Sequence, residues 1–251
     1  ASPTAPPTQA PTVAPQVAPT APPVTPPFSP VASGIIRPVG ICWESSSSGH
    51  NAFFGYVSTA ALYIPQGANN HFATSAGDDS SAVTENFLQG AHSLTTKLSS
   101  SSSSVTSLSW SLGGTTATLD LSNDAQKCPA TAPVVIVMQF TGTKNDSTIN
   151  DLKNTLANLL GIDPSRLSIV FQLLSSSKRA DVYQAVVTIA GGSSGPSQFA
   201  AAQTLVSGFN DASTQQALST ATGSSTSAPP TASSPGLTPV DTEPTSGTIV
   251  I

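Results

Sequence analysis

Charge is what this chain has least of. Asp, Glu, Lys and Arg make up 8% of its 251 residues, against about 25% in an ordinary soluble domain. The eight basic residues are scattered and the net charge is −5, which excludes the electropositive stripe that a phosphate backbone requires. Long apolar runs are missing as well, and none approaches the roughly 20 residues of a membrane-spanning helix. Cysteine is reduced to Cys42 and Cys128, 86 positions apart, a spacing foreign to zinc patterns such as C-x2-C. No histidine follows His92.

What is abundant is proline, at 22 residues, and hydroxyl, with Ser and Thr supplying about 70 positions. Solubility therefore rests on hydroxyls, or on sugars attached to them, rather than on ionised groups. The chain opens at Ala1-Ser2-Pro3 without a charged n-region or an apolar h-region, so it reads as a mature chain, any signal peptide already removed. Neither cysteine has a His or a Lys/Arg cluster beside it to make a reactive thiol. The expectation is a structural disulfide in an oxidising compartment. Closing so large a loop contributes roughly 4–5 kcal/mol in the chain-entropy picture.

Composition divides the chain into four parts. Residues 1–33 are uncharged, with Pro3, Pro7, Pro11, Pro15, Pro19, Pro23 and Pro27 in an unbroken period of four. Proline lacks the N–H and clashes with a preceding helical turn, and it is excluded from sheet interiors. A polyproline II arm is expected, reaching on the order of 90 Å at about 3.1 Å per residue. Residues 34–130 show short strand-like runs broken by Gly, Ser and Asn. Val105, Ser107, Ser109 and Ser111 alternate there with Thr106, Leu108, Trp110 and Leu112, the period of a half-buried strand. This predicts a β-sandwich of immunoglobulin-like architecture.

Residues 131–222 change character. Val134 to Phe140 reads as a buried strand, and Ile149, Leu152, Leu156, Leu159 and Leu160 follow at helical spacing up to Gly161. Leu167 to Leu174 and Val182 to Ile189 read as two further strands, and Pro196 opens a second helix through Phe209. The order β-α-β-β-α predicts an α+β ferredoxin-like domain short of one strand. Residues 223–251 read as Ser/Thr/Pro-rich linker ending in a β-branched strand, Thr248-Ile249-Val250-Ile251.

The first domain resembles a β-sandwich module of secreted and surface-attached proteins of bacteria and algae. The resemblance rests on Cys42, Ala52-Phe53-Phe54-Gly55-Tyr56, Ile64-Pro65-Gln66-Gly67-Ala68-Asn69-Asn70-His71-Phe72, Trp110-Ser111-Leu112 and Thr116-Ala117-Thr118. It covers about 90 residues and lacks the Asn-Pro that often follows the Gly-Tyr. The module is architectural and implies no enzymatic activity. The second domain is similar to ferredoxin-like, SEA-like modules through Leu159-Leu160-Gly161-Ile162-Asp163-Pro164-Ser165-Arg166-Leu167. The arm resembles hydroxyproline-rich glycoproteins of plants and green algae, through Ser2-Pro3, Ala10-Pro11, Ala14-Pro15, Ala18-Pro19, Thr25-Pro26 and Ser29-Pro30. That resemblance implies O-linked sugars on the arm. The candidates are Thr4, Thr8, Thr12, Thr20, Thr25 and the seven period-four prolines, as hydroxyproline. Together the resemblances imply a subunit of an extracellular fibril such as the algal mastigoneme.

Gly191-Gly192-Ser193-Ser194-Gly195 has the G-x-S-x-G form of a hydrolase nucleophile elbow. Its acid and histidine partners should follow it, and no histidine does, so a strand-to-helix loop is expected instead. His50, His71 and His92 could meet Asp78, Asp79 or Glu85, but no H-E-x-x-H or i, i+4 spacing supports a metal site. No cofactor is expected. Trp43, Phe53, Phe54, Tyr56, Phe72 and Trp110 form either a sugar platform or, the reading adopted, a packed core. The Ser99–Ser104 run reads as a flexible or glycosylated loop. Asn145-Asp146-Ser147 is an N-glycosylation sequon.

The function expected is therefore non-enzymatic. The chain reads as a homopolymerising, glycosylated subunit of an extracellular filament, joined head to tail through its termini, with no nucleic-acid partner and no membrane span. The alternative is a carbohydrate-binding or adhesive module on a glycosylated stalk.

Overall fold

The computed structural model describes residues 33–142, 148–176, 181–223, 225–234 and 249–250. About half of these residues lie in antiparallel sheets. The strands up to the first 3-10 turn are β1 (Ser33–Gly34), β2 (Ile36–Ser46), β3 (Gly49–Ser58), β4 (Leu62–Tyr63), β5 (Asn70–Thr74), β6 (Gly77–Asp79), β7 (Asn86–Phe87), β8 (Gly90–Ser100), β9 (Ser107–Leu112) and β10 (Thr115–Asp120). Then come β11 (Val134–Gly142), α1 (Thr148–Leu160), β12 (Leu167–Ser175), β13 (Asp181–Ile189), α2 (Gln198–Gly208), α3 (Ala212–Thr222), β14 (Ser225–Ser233) and β15 (Ile249–Val250).

A three-stranded sheet, β2-β3-β8, stacks on a four-stranded sheet, β10-β9-β5-β6. Between them lies an aromatic core of Trp43, Phe54, Tyr56, Phe72, Phe87 and Trp110, joined by Leu98, Leu108, Leu112 and Leu119. The alternation Leu108, Trp110, Leu112 along β9 puts three large side chains on this face, each fully buried. Trp110 meets Phe54, Phe72 and Phe87 at centroid distances of 6.0–6.3 Å.

The β2-β3-β8 sheet is buried on both faces, one against each core, and two irregularities in its ladder decide which side chains go where. Gly40 pairs with Phe54 and Cys42 with Phe53, so Ile41 is the extra residue of a bulge. Val39, Ile41 and Cys42 therefore all face away from the aromatic core, while Trp43 returns to it. On the other side, Phe54 pairs with Thr96 and Tyr56 with His92, leaving Ser93, Leu94 and Thr95 opposite Gly55. Leu94 takes φ 57° there. A Cβ on Gly55 would sit 2.2 Å from the His92 carbonyl oxygen, so only glycine admits this approach.

The second core joins that outer face to residues between Val134 and Ala232. Val39, Ile41, Phe53 and Leu94 pack in one cluster with Ile136, Met138, Phe140, Leu152, Leu156, Val187, Phe199, Leu205 and Leu218. Phe53 and Phe199 lie 6.2 Å apart. Of the helices, α2 touches β8 on one side and β11, β13 and β14 on the other, so it lies between two sheets.

The second sheet system has the order β12-β13-β11-β14, and here the linker expected from residue 223 is corrected. Ser225–Ser233 is a strand paired antiparallel with β11. Its Pro229 and Pro230 escaped a strand reading because proline removes ladder donors. They are accommodated at the outer edge, where the pairing jumps from Val137↔Thr231 to Gln139↔Ala228. The second predicted helix, from Pro196 through Phe209, is α2, and a further helix, α3, follows it unpredicted. Only Leu218 and Thr222 of α3 are buried, so its apolar periodicity was too sparse to read.

Candidate functional site

Cys42 and Cys128 form a disulfide with Cα atoms 4.9 Å apart. The Cys128 N–H donates to the Trp43 carbonyl at 2.7 Å, and the Lys127 ammonium lies 5.3 Å from the Trp43 ring centroid. The bridge fastens the segment leaving the aromatic unit to its longest sheet. Among the described residues no helix is long and apolar enough to cross a membrane.

The predicted aromatic set is interior. Trp43 and Tyr56 are 4% exposed and Phe53, Phe54, Phe72 and Trp110 are 0% exposed, so none of the six presents a ring to a sugar. In the Ile64–Phe72 segment the organising residue is Asn70, which is fully buried. Its amide donates to the carbonyls of Ile64 (2.9 Å) and Thr84 (2.8 Å) and accepts from the Trp110 indole N–H (3.1 Å). The amide fixes a loop that Glu85 also holds, by accepting from the Gln66 N–H and the Tyr63 hydroxyl. The Glu85 carboxylate raises the Tyr63 phenol above its ordinary value. Burial raises Tyr56, and the Leu88 N–H donating to its oxygen offsets part of that.

The histidines are spread along the first unit. His50 lies edge-on to Trp43, His71 Nδ1 is 3.2 Å from the Gly67 carbonyl oxygen, and His92 stacks on Tyr56. Among the described residues no three His, Cys, Asp or Glu side chains gather as metal ligands.

The Gly-Ser loop at 191–195 wraps a buried cation. Arg166, 7% exposed, donates to the carbonyls of Ala190, Ser194 and Pro196 at 2.9–3.1 Å. A Cβ on Gly192 would come within 2.7 Å of the Arg166 side chain, and one on Gly191 within 2.2 Å of the Ala130 carbonyl oxygen. These glycines make room for the guanidinium and the neighbouring chain. Gln198, at the start of α2, donates to the carbonyls of Pro129, Ala130 and Ala132, locking the segment that joins the two units. Sequence reasoning gave neither residue this role: Arg166 stood only inside the Leu159–Leu167 resemblance, Gln198 in no motif, and the partners are 24–69 positions away.

Ile249–Val250 neither extends the sheet of β11–β14 nor stands free. It pairs antiparallel with Ser33–Gly34, Ser33 opposite Val250. The fourth place in that sheet is already taken by β14. Thr248 and Ile251 lie outside the described residues, as do Asn145 and the whole set of arm candidates from Pro3 to Pro27.

The surface that stands out is the β12 edge. β12 reads Leu-Ser-Ile-Val-Phe-Gln-Leu-Leu-Ser, with no charge and no proline, and it ends its sheet. Val170, Leu173 and Leu174 are 54%, 56% and 48% exposed. In comparison with known proteins, no family model, no curated protein and no solved structure matches this chain.

Proposed function

We propose that this protein is a structural subunit of an extracellular, glycosylated helical filament of mastigoneme-like kind. One observation carries the reading: β12 is a nine-residue, uncharged, apolar edge that no strand covers among the described residues. Folded proteins blunt such edges with charge, proline or a covering element, because bare backbone groups recruit further strands. The opposite edge, β14, carries Pro229-Pro230 and a pairing irregularity, which is the usual protection. An edge left open beside one that is closed suits a subunit that adds partners in one direction. Contacts of that heterologous kind do not close on themselves and build a filament.

The finer fold assignment belongs to the same proposal. The stacked sheets of residues 34–121 support an immunoglobulin-like sandwich. The connection β11-α1-β12-β13-α2-α3-β14, with β13 between β11 and β12, supports a ferredoxin-like split β-α-β unit. The disulfide is compatible with an extracellular setting. Sugars on the arm and on Asn145 would supply the solubility that charge does not.

Negative-stain imaging of the purified full chain across a concentration series tests the function. Fibrils of uniform width are expected. Single particles of one-chain mass at every concentration would overturn the reading. Intact mass tests the glycans, which require a value above the 25.2 kDa of the bare chain.

A further inference from the structure

We infer that the cavity beside Tyr63 binds a single neutral sugar ring, with the Tyr63 ring as its platform. The site is independent of the filament reading. The cavity measures about 300 Å³ and is walled by Tyr63 and the loop from Ile64 to Asn69. That volume is the low end for small-molecule sites, room for one ring rather than for a helix or a folded partner. Side chains alternate along β4, so Leu62 is buried and Tyr63 is 47% exposed. The exposed ring is nevertheless held. Its hydroxyl donates to Glu85 Oε2 at 3.2 Å, and Oε1 of the same carboxylate accepts from the Gln66 N–H at 2.9 Å. The rest of the wall is equally fixed. Gly67 and Asn70 exchange backbone hydrogen bonds at 2.9 and 3.0 Å, closing a two-residue turn over Ala68 and Asn69. The Asn69 carbonyl accepts from the Gly113 N–H at 2.9 Å, and the buried Asn70 amide holds Ile64 from inside. A ligand entering here meets a formed surface and has little to order.

The lining selects the ligand. Among the described residues, those around the cavity carry no charge, so a phosphate, a sulfate, a uronic acid or a cation would lose hydration there with nothing to offset it. What the wall offers is one aromatic face, one proline and two carboxamides. The electron-rich face of a tyrosine ring attracts the weakly positive C–H groups on the flat side of a sugar ring. Each sugar hydroxyl both donates and accepts, and a carboxamide supplies the matching pair. Gln66 donates through Nε2 to the Ser81 carbonyl at 3.2 Å, which sets its orientation and leaves Oε1 to accept. Asn69, exposed at the tip of the turn, makes no side-chain hydrogen bond among the described residues, so both of its amide atoms remain for a ligand. The six aromatics that the sequence offered as a sugar platform are interior. Tyr63 is open to solvent, and its carboxylate anchor keeps the ring from turning away.

Amide spectra of the full chain, made without glycans and with its disulfide formed, test this against methyl glycosides of glucose, galactose, mannose, xylose and arabinose. At least one should shift the amides of Gln66, Gly67, Ala68 and Asn69 in a saturable way. Tyr63→Ala should weaken that binding roughly tenfold or more, and Asn69→Ala roughly three- to tenfold. Tyr63→Phe, which keeps the ring, should retain most of it. Thermal unfolding of the three variants should match the natural chain, because both positions are exposed. The glycosylated chain then separates two sources of sugar, and either result supports the site. Loss of added-glycoside binding, with the same four amides already shifted, means that the chain's own glycans occupy the cavity. Retained binding means that the sugar comes from outside. No shift with any of the five glycosides, or binding that Tyr63→Ala leaves intact, overturns the inference. So does a preference for glucuronic acid or a sulfated sugar over the neutral ones. Fibril formation enters none of these readouts, so failure of the filament reading and failure of the site are told apart.

Discussion

The two cores of this molecule are built from different materials. The one between the stacked sheets is aromatic, with Trp110 at its centre and Asn70 as the polar pin beside it. The one that includes the helices is mainly aliphatic, and its polar pins are Arg166 and Gln198. The first is made by residues 36–121. The second needs Val39, Ile41, Phe53 and Leu94 from that same stretch to meet residues after 130. The contrast teaches that the chain's two units are not independent: the later one completes its core on the back of the earlier one's central sheet.

The largest effect should come from the bridge where the two meet. Replacing both cysteines (Cys42→Ser with Cys128→Ser) releases a loop of 86 residues and should cost about 4–5 kcal/mol in the chain-entropy model. Denaturant titration reads this directly, and a loss below about 1 kcal/mol would show that the sheets fix the segment without it. Phe199→Ala comes next, at roughly 3–5 kcal/mol for an emptied aromatic site. Its value lies in the reporter: both tryptophans, Trp43 and Trp110, belong to the aromatic core. If the cores unfold together, the tryptophan transition moves with this distant mutation. An unmoved tryptophan transition would separate the units.

Removing a polar pin from each core sharpens the comparison. Asn70→Leu strands two carbonyls and the Trp110 N–H, and Arg166→Met strands three carbonyls. A buried polar group left unpaired costs about 1–3 kcal/mol, so each variant should lose at least that much. Thermal unfolding of the two variants ranks them, and Arg166→Met should also loosen amide protection in 190–197.

The smallest effect is a pH dependence confined to the aromatic core. Tyr56 is raised above its ordinary value of 10.0, chiefly by burial. The unfolded chain loses this proton first, so stability is unaffected by Tyr56 below about pH 10 and declines as pH rises through the folded value. Stability at pH 8 and pH 11 should therefore differ less in Tyr56→Phe than in the natural chain. An equal difference would exclude Tyr56 as the source.

Much of the aromatic unit was legible in the sequence, because its signals are local. Alternation along Val105 to Leu112 and the flanking cysteines each describe neighbours or borders, and the structure contains the strand and the bridge. The helix ending at Gly161 was readable for the same reason. Of the candidate sites, the disulfide was found, while Arg166, Asn70 and Gln198 were not. A side chain's partners, when they are distant carbonyls, leave no pattern in sequence.

What the sequence determined by itself was the set of strands and helices whose apolar period matches their geometry. Tertiary structure decided the rest. Ser225–Ser233 has the composition of a linker, and it is a strand because β11 offers it an edge on which Pro229 and Pro230 can be bypassed. Phe53 and Phe54 are adjacent and equally aromatic, yet they serve different cores, because a sheet sends successive side chains to opposite faces and here both faces are covered. Ile249–Val250 is β-branched and would pair with any open edge, and only the folded chain brings Ser33–Gly34 alongside it. Propensity says what a segment can become, and the edge or face presented by the rest of the chain selects which of those states buries its surface and satisfies its backbone.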